Sequence, residues 1–146
     1  MEPCPLAIGE RFERRVLFDA ASIREFATLA GDENPLHHDD AAAAAGPAGR
    51  LIVSGPHISS LMMGLTATWF TRRFDALGLQ FDFRFVKAIP AGAALCLEWT
   101  ITGTRATRAL DGYVVTMVGR AVDDANVVFT TAHGANLIRL PKRKTP

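Results

Sequence analysis

Hydrophobic and polar positions alternate with a period of two near the middle of the chain. Leu79, Phe81, Phe83 and Phe85 are separated by Gln80, Asp82 and Arg84, the spacing of a strand with one apolar face. Arg11 to Phe18 reads as an earlier strand, with Phe12, Val16 and Phe18 on one parity. Ala94 to Thr102, Tyr113 to Val122 and Val127 to Leu140 are three more. Pro90-Ala91-Gly92, Asp111-Gly112 and Asp123-Asp124-Ala125-Asn126 supply the connections with residue types that turn a chain.

Between the first strand and the rest the pattern changes to a helical one. Ser22-Ile23-Arg24-Glu25 has the spacing of a capping box, followed by an apolar face of Ile23, Phe26, Ala27 and Ala30. Gly31 is placed to end that helix in a left-handed conformation. The run Ala41 to Ala45 is good helix material, and Gly46-Pro47-Ala48-Gly49 breaks the chain. Leu51-Ile52-Val53 leads through Ser54-Gly55-Pro56 into a helix over Ile58 to Phe74 that is apolar nearly all round. Such a helix has to be wrapped by other structure. Pro56 falls at a first helical position, where a missing amide costs nothing. The expectation is an α+β fold, one antiparallel sheet wrapped around a long central helix. Residues 1–146 form a single domain, with 141–146 as a flexible tail.

Composition narrows the function. A chain of 146 residues, 49% hydrophobic, can bury a substantial core. Its net charge of +1 gives no electrostatic case for nucleic acid or an anionic membrane. The basic cluster Pro141-Lys142-Arg143-Lys144 reads as a solvated end rather than a binding arm. Met1-Glu2-Pro3-Cys4-Pro5 has neither the basic start nor the apolar stretch of a signal peptide. Leu51 to Phe70 is too interrupted for a membrane span. Cys4 and Cys96 are too few for a disulfide scaffold and have no metal-type spacing, which suits a reducing compartment. A soluble cytoplasmic protein is expected.

Chemistry concentrates in Gly31 to Asp40, GDENPLHHDD. Asp32 begins a loop just past a helix end, and Pro35 holds Asn34 in extended geometry. That elbow can bring His37 back toward Asp32, and a carboxylate and an imidazole converging on one water can move its proton. A loop whose Asp merely caps local amides fits the same residues. Gly55, opening the long helix, can offer its amide at the positive end of the helix dipole to an oxyanion or enolate. Lacking a side chain, it lets a carbonyl come close. A tight turn explains that glycine equally well.

The segment Phe26-Ala27-Thr28-Leu29-Ala30-Gly31-Asp32-Glu33-Asn34-Pro35-Leu36-His37 resembles the hydratase-2 motif of the MaoC-like (R)-specific enoyl-CoA hydratases. Every defining position of Gly-Asp-x-Asn-Pro-Leu-His is present. Ile52-Val53-Ser54-Gly55, Ser59-Ser60-Leu61 and Phe81 through Gly92 are similar to that family's oxyanion turn, central helix and following strand. The likeness runs roughly from Phe12 to Leu140.

The resemblance implies the hot-dog fold and addition of water to a trans-2-enoyl-CoA, giving (R)-3-hydroxyacyl-CoA, or the reverse dehydration. Asp32 and His37 would hold and activate the water, and Gly55 N–H would bind the thioester oxygen. Asn34 would shape the loop, with contact to ligand or water left open. No metal and no cofactor is implied, CoA being part of the substrate. A homodimer or an assembly of dimers is implied, since pairing also covers an exposed strand edge. Departures are Pro56, which removes an amide donor, His57, read as a packed histidine, and Met63, where some relatives have a small polar residue. His38 is expected to face solvent, and His133 to be packed in its strand. Two alternatives stay open: an acyl-CoA thioesterase of the same fold, and a non-catalytic acyl-thioester binding module.

Overall fold

A computed structural model of the chain describes residues 2–141; the basic residues Lys142, Arg143 and Lys144 of the expected tail lie outside them. β1 (Arg11–Leu17) is followed by α1 (Ala20–Ala30), a single 3-10 turn (Pro35–His37), the short α2 (Asp40–Ala44) and the long α3 (Gly55–Thr71). Then come β2 (Asp75–Phe85), β3 (Ala94–Thr107), β4 (Gly112–Val122) and β5 (Val128–Arg139). The strands form one sheet in the order β1-β3-β4-β5-β2, and every pairing is antiparallel.

One face of this sheet holds α3. Leu95, Leu97, Trp99 and Ile101 of β3 alternate with more polar residues. With Val115, Met117 and Ala121 of β4 and Ala132 and Ile138 of β5, they meet Ile58, Met62, Leu65 and Phe70 of α3 in the buried core. Burying such side chains, at about 1.5–3 kcal/mol each, is the main term holding helix to sheet.

Several boundaries differ from the pattern. Asp19, not Ser22, caps α1: its carboxylate accepts from Ser22 N–H at 2.7 Å. The central helix begins at Gly55, with Pro56 in its first turn as expected, the buried Ser54 capping it by accepting from His57 N–H, and it ends at Thr71 rather than Phe74. It is not wrapped all round, since Ser60, Met63, Gly64, Ala67 and Thr68 form an outward stripe at helical spacing. β2 starts at Asp75, and an irregularity between Gly78 and Gln80 takes Leu79 out of the alternation. Leu79 is therefore exposed, while Phe81 and Phe83 pack on the core. His133 is exposed on the outer face of β5, contrary to the packed position expected. No helix among the described residues is long and apolar enough to cross a membrane.

Candidate active site

The loop after α1 is built by its own sequence. Gly31 adopts φ 70°, and the Gly31 and Asp32 amides donate to Thr28 O at 3.1 Å and Ala27 O at 2.9 Å. This is how a left-handed glycine closes a helix. Asp32 Oδ1 then accepts from Asn34 N–H, and Asn34 Oδ1 from Leu36 N–H, each at 3.1 Å. Two consecutive side-chain turns thus wind the chain into the 3-10 turn that carries His37. Asn34 spends its side-chain oxygen on the loop, the shaping role expected of it.

His37 is buried, at 6% exposure. Its ring is fixed at one nitrogen: Nδ1 lies 2.8 Å from Ile52 O, and because a carbonyl only accepts, Nδ1 carries the hydrogen. Leu36 O accepts from Ile52 N–H at 3.1 Å, so loop and ring are clipped to the strand-like segment before α3. Nε2 is thereby aimed at Asp32 Oδ2, 3.4 Å away. In the neutral ring two acceptors face each other across that gap, too long for a strong direct hydrogen bond.

His38, expected in solvent, is half-buried and donates from Nε2 to Asp32 O at 2.5 Å. Arg24 in turn donates to His38 O at 3.1 Å and pairs with Asp40 at 2.9 Å. These supports were not legible in the sequence, because the distance from Arg24 to His38 depends on how the loop folds back over α1.

Gly55 stands at the start of α3. Pro56 has no N–H, and Ser54 O accepts from both His57 N–H and Ile58 N–H. Among the described residues none accepts from Gly55 N–H, which leaves it free for a ligand at the positive end of the dipole. The space beside Gly55 is partly held by the Phe85 ring, whose tip is 3.0 Å from where a Cβ would stand. Close approach of that ring is a structural reason for glycine here, besides the ligand approach expected.

His37 and Gly55 line one cleft of about 270 Å³, with Val53, Phe85, Lys87 and Thr130. Asp32 lines a neighbouring depression with Gly31, Pro35 and His38. Asp32 does not line the cleft itself; what links it to the cleft is the 3.4 Å approach of Oδ2 to His37 Nε2.

His57 is packed rather than facing this cleft. It is 5% exposed, stacked on Phe26 at 4.5 Å and edge-on to Phe18 at 5.3 Å. Burial pushes its pKa below the usual 6.5, with Asp19 opposing in part. Nδ1 is buried without a partner among the described residues. The folded protein therefore prefers a neutral ring, whereas the unfolded chain takes a proton near pH 6.5. The stability from the neutral ring is complete above that pH and is lost as pH falls toward the lower folded value. Between about pH 7 and about pH 5 the melting temperature of the wild type should fall more steeply than that of His57→Phe. Parallel pH profiles would contradict this.

Glu13, Cys96 and Glu98 also come together, with potential ligand atoms within 4.8 Å. Glu98 is already paired with Arg11 and Arg120. Burial, reinforced by Glu13, raises the Cys96 pKa, so the thiol is held protonated. The cluster reads as an ion network on the outer face of the sheet.

The MaoC like domain profile matches residues 6–122, and the chain belongs to that family. Solved structures agree. An (R)-hydratase from A. caviae involved in PHA biosynthesis superposes with TM-score 0.81 at 27% identity, over 94% of this chain and 98% of that one. A MaoC-like dehydratase from Rhodospirillum rubrum gives 0.78 at 25% identity, over 93% and 95%. The HadBC (3R-hydroxyacyl-ACP dehydratase) complex from Mycobacterium tuberculosis matches in fold, at 0.75 and 17% identity, over 90% and 96%. The architecture is the hot-dog fold expected. A search of curated protein sequences finds no match.

Proposed function

We propose that the chain hydrates trans-2-enoyl-CoA to (R)-3-hydroxyacyl-CoA, or catalyses the reverse dehydration. The observation that carries this reading is the 3.4 Å approach of Asp32 Oδ2 to His37 Nε2, with the ring's other nitrogen committed to Ile52 O. Two facing acceptors are joined by a water that donates one O–H to each, leaving its oxygen lone pair directed outward. As that oxygen bonds to C3, Asp32 takes the water's proton. The π electrons move onto the thioester oxygen, where Gly55 N–H stabilises the enolate. When the enolate collapses, one proton returns through the Asp32–His37 pair to C2 on the same face. Acid, base and oxyanion donor all come from the chain, so the reaction as written uses no metal and no separate cofactor, CoA being part of the substrate.

The acting unit is proposed to be a homodimer. β2 leaves one edge unpaired, and Leu77, Leu79, Phe85 and Val86 are exposed along it, a surface that pairing with a second copy would cover. The other edge strand, β1, is protected by Arg11, Glu13, Arg14 and Arg15. The free thiols of Cys4 and Cys96 suit a reducing cytoplasm.

A panel of enoyl-CoAs of increasing chain length tests the function. Loss of the conjugated alkene without thiol release is the expected result. Free CoA with no hydroxyacyl product would assign the site to thioester hydrolysis, and neither reaction would fit a binding module.

A further inference from the structure

Gly55 supplies a single amide, whereas an enolate oxygen has room for more than one donor. We propose that the Thr130 hydroxyl is the second, completing on β5 the oxyanion site that Gly55 begins on α3; this rests on the reading of the cleft given above. The first turn of α3 has nothing else to offer. Pro56 lacks an N–H, and the His57 and Ile58 amides are turned back onto Ser54. Met63, farther along the helix, brings no polar hydrogen and faces outward.

Thr130 meets the need from the opposite wall. It is 1% exposed, yet its Oγ1 has no hydrogen-bond partner among the described residues. Buried hydroxyls are nearly always paired, so an orphan calls for an explanation. Thr130 lines the same cleft as His37 and Gly55. Register brings it to Gly55 by a second route: it pairs with Phe85 across the strands, and the Phe85 ring tip reaches within 3.0 Å of the position of a Gly55 Cβ. On its other side stands Ala121 of β4, whose methyl group offers the hydroxyl no partner. A threonine hydrogen rotates freely about its C–O bond, so it can turn to an oxygen arriving in the cleft. With both donors in place, charge moving from the alkene to the thioester oxygen is met from the helix and from the sheet.

Thr130→Val keeps the shape and deletes the hydroxyl, and Thr130→Ser keeps the hydroxyl. The valine variant is expected to lose about 10- to 100-fold in kcat with little change in KM, somewhat less than loss of a side-chain amide donor costs in a preorganised oxyanion hole. The serine variant should recover most of that. The melting temperature of the valine variant should equal or exceed wild type, because a buried unpaired hydroxyl has been removed. Butyryl-CoA, which is saturated and cannot be hydrated, gives an independent readout through the infrared carbonyl stretch of the bound thioester. The stretch should lie lower in wild type and Thr130→Ser than in Thr130→Val. A valine variant with wild-type turnover, or a carbonyl stretch indifferent to the hydroxyl, overturns the assignment. If the wild type hydrates no enoyl-CoA but the stretch follows the hydroxyl, the donor role stands and the hydratase reading falls. Should the valine variant fail to fold, a serine variant with an unpolarised carbonyl overturns the proposal.

Discussion

Asp32→Asn is expected to reduce enoyl-CoA hydration by about 10²- to 10⁴-fold, the usual contribution of a positioned acid–base group. The substitution preserves the loop. Oδ1 of an asparagine can still accept from Asn34 N–H, and the helix-closing bonds at Gly31 and Asp32 are made by the backbone. What disappears is the group proposed to take the water's proton. His37→Ala should cost a comparable factor and also some stability, because the ring is buried and its Nδ1 anchors the loop to Ile52 O. If the two act as a unit on one water, as proposed, removing both should cost little more than removing the more damaging one. Steady-state kinetics with a melting curve for each variant separates these effects. Full turnover in folded Asp32→Asn would remove the carboxylate from the mechanism.

The largest stability effect is expected from Trp99→Ala, at about 3–5 kcal/mol, the range for emptying a large aromatic site. That is a large fraction of a typical domain's stability, so the melting temperature should fall by about 10 °C or more. Trp99 is fully buried and donates from Nε1 to Met62 O at 3.0 Å, which ties β3 to the middle of α3. Its ring meets Phe81 edge-on at 5.9 Å. On β4, a Cβ at Gly119 would stand 2.6 Å from the ring. The indole therefore occupies a space shaped for it from three sides, and neighbours can close only part of the gap. Denaturant unfolding of Trp99→Ala against Trp99→Phe measures the effect. A loss below about 1 kcal/mol for alanine would mean that α3 is held chiefly by other contacts.

Much of this could be read in the sequence because local chemistry and the global fold agree. Alternation gave the strands, and Gly31 ended α1 as its left-handed φ requires. Asn34 and Pro35 made the elbow that turns Asp32 and His37 toward each other. The misreadings share one cause: a tertiary partner changed the local preference. Ser54 caps α3 where Gly55 and Pro56 open it, but the helix ends at Thr71, short of the apolar run that continues to Phe74. The irregularity at Gly78 to Gln80 left no trace in the alternation and moved Leu79 outward. His38 was given to solvent because its bond to Asp32 O closes only when the loop folds. Thr130 carried no signal, since a threonine in a strand is ordinary until burial leaves its hydroxyl unpaired.

The most direct measurement is the stereochemistry of water addition to crotonyl-CoA in D₂O by the wild-type protein. One water held by Asp32 and His37 on one face of the alkene predicts (R)-3-hydroxybutyryl-CoA, with deuterium at C2 added syn to the hydroxyl. An (S) product, anti addition, or release of free CoA without hydration would contradict a single water gripped between that carboxylate and that imidazole.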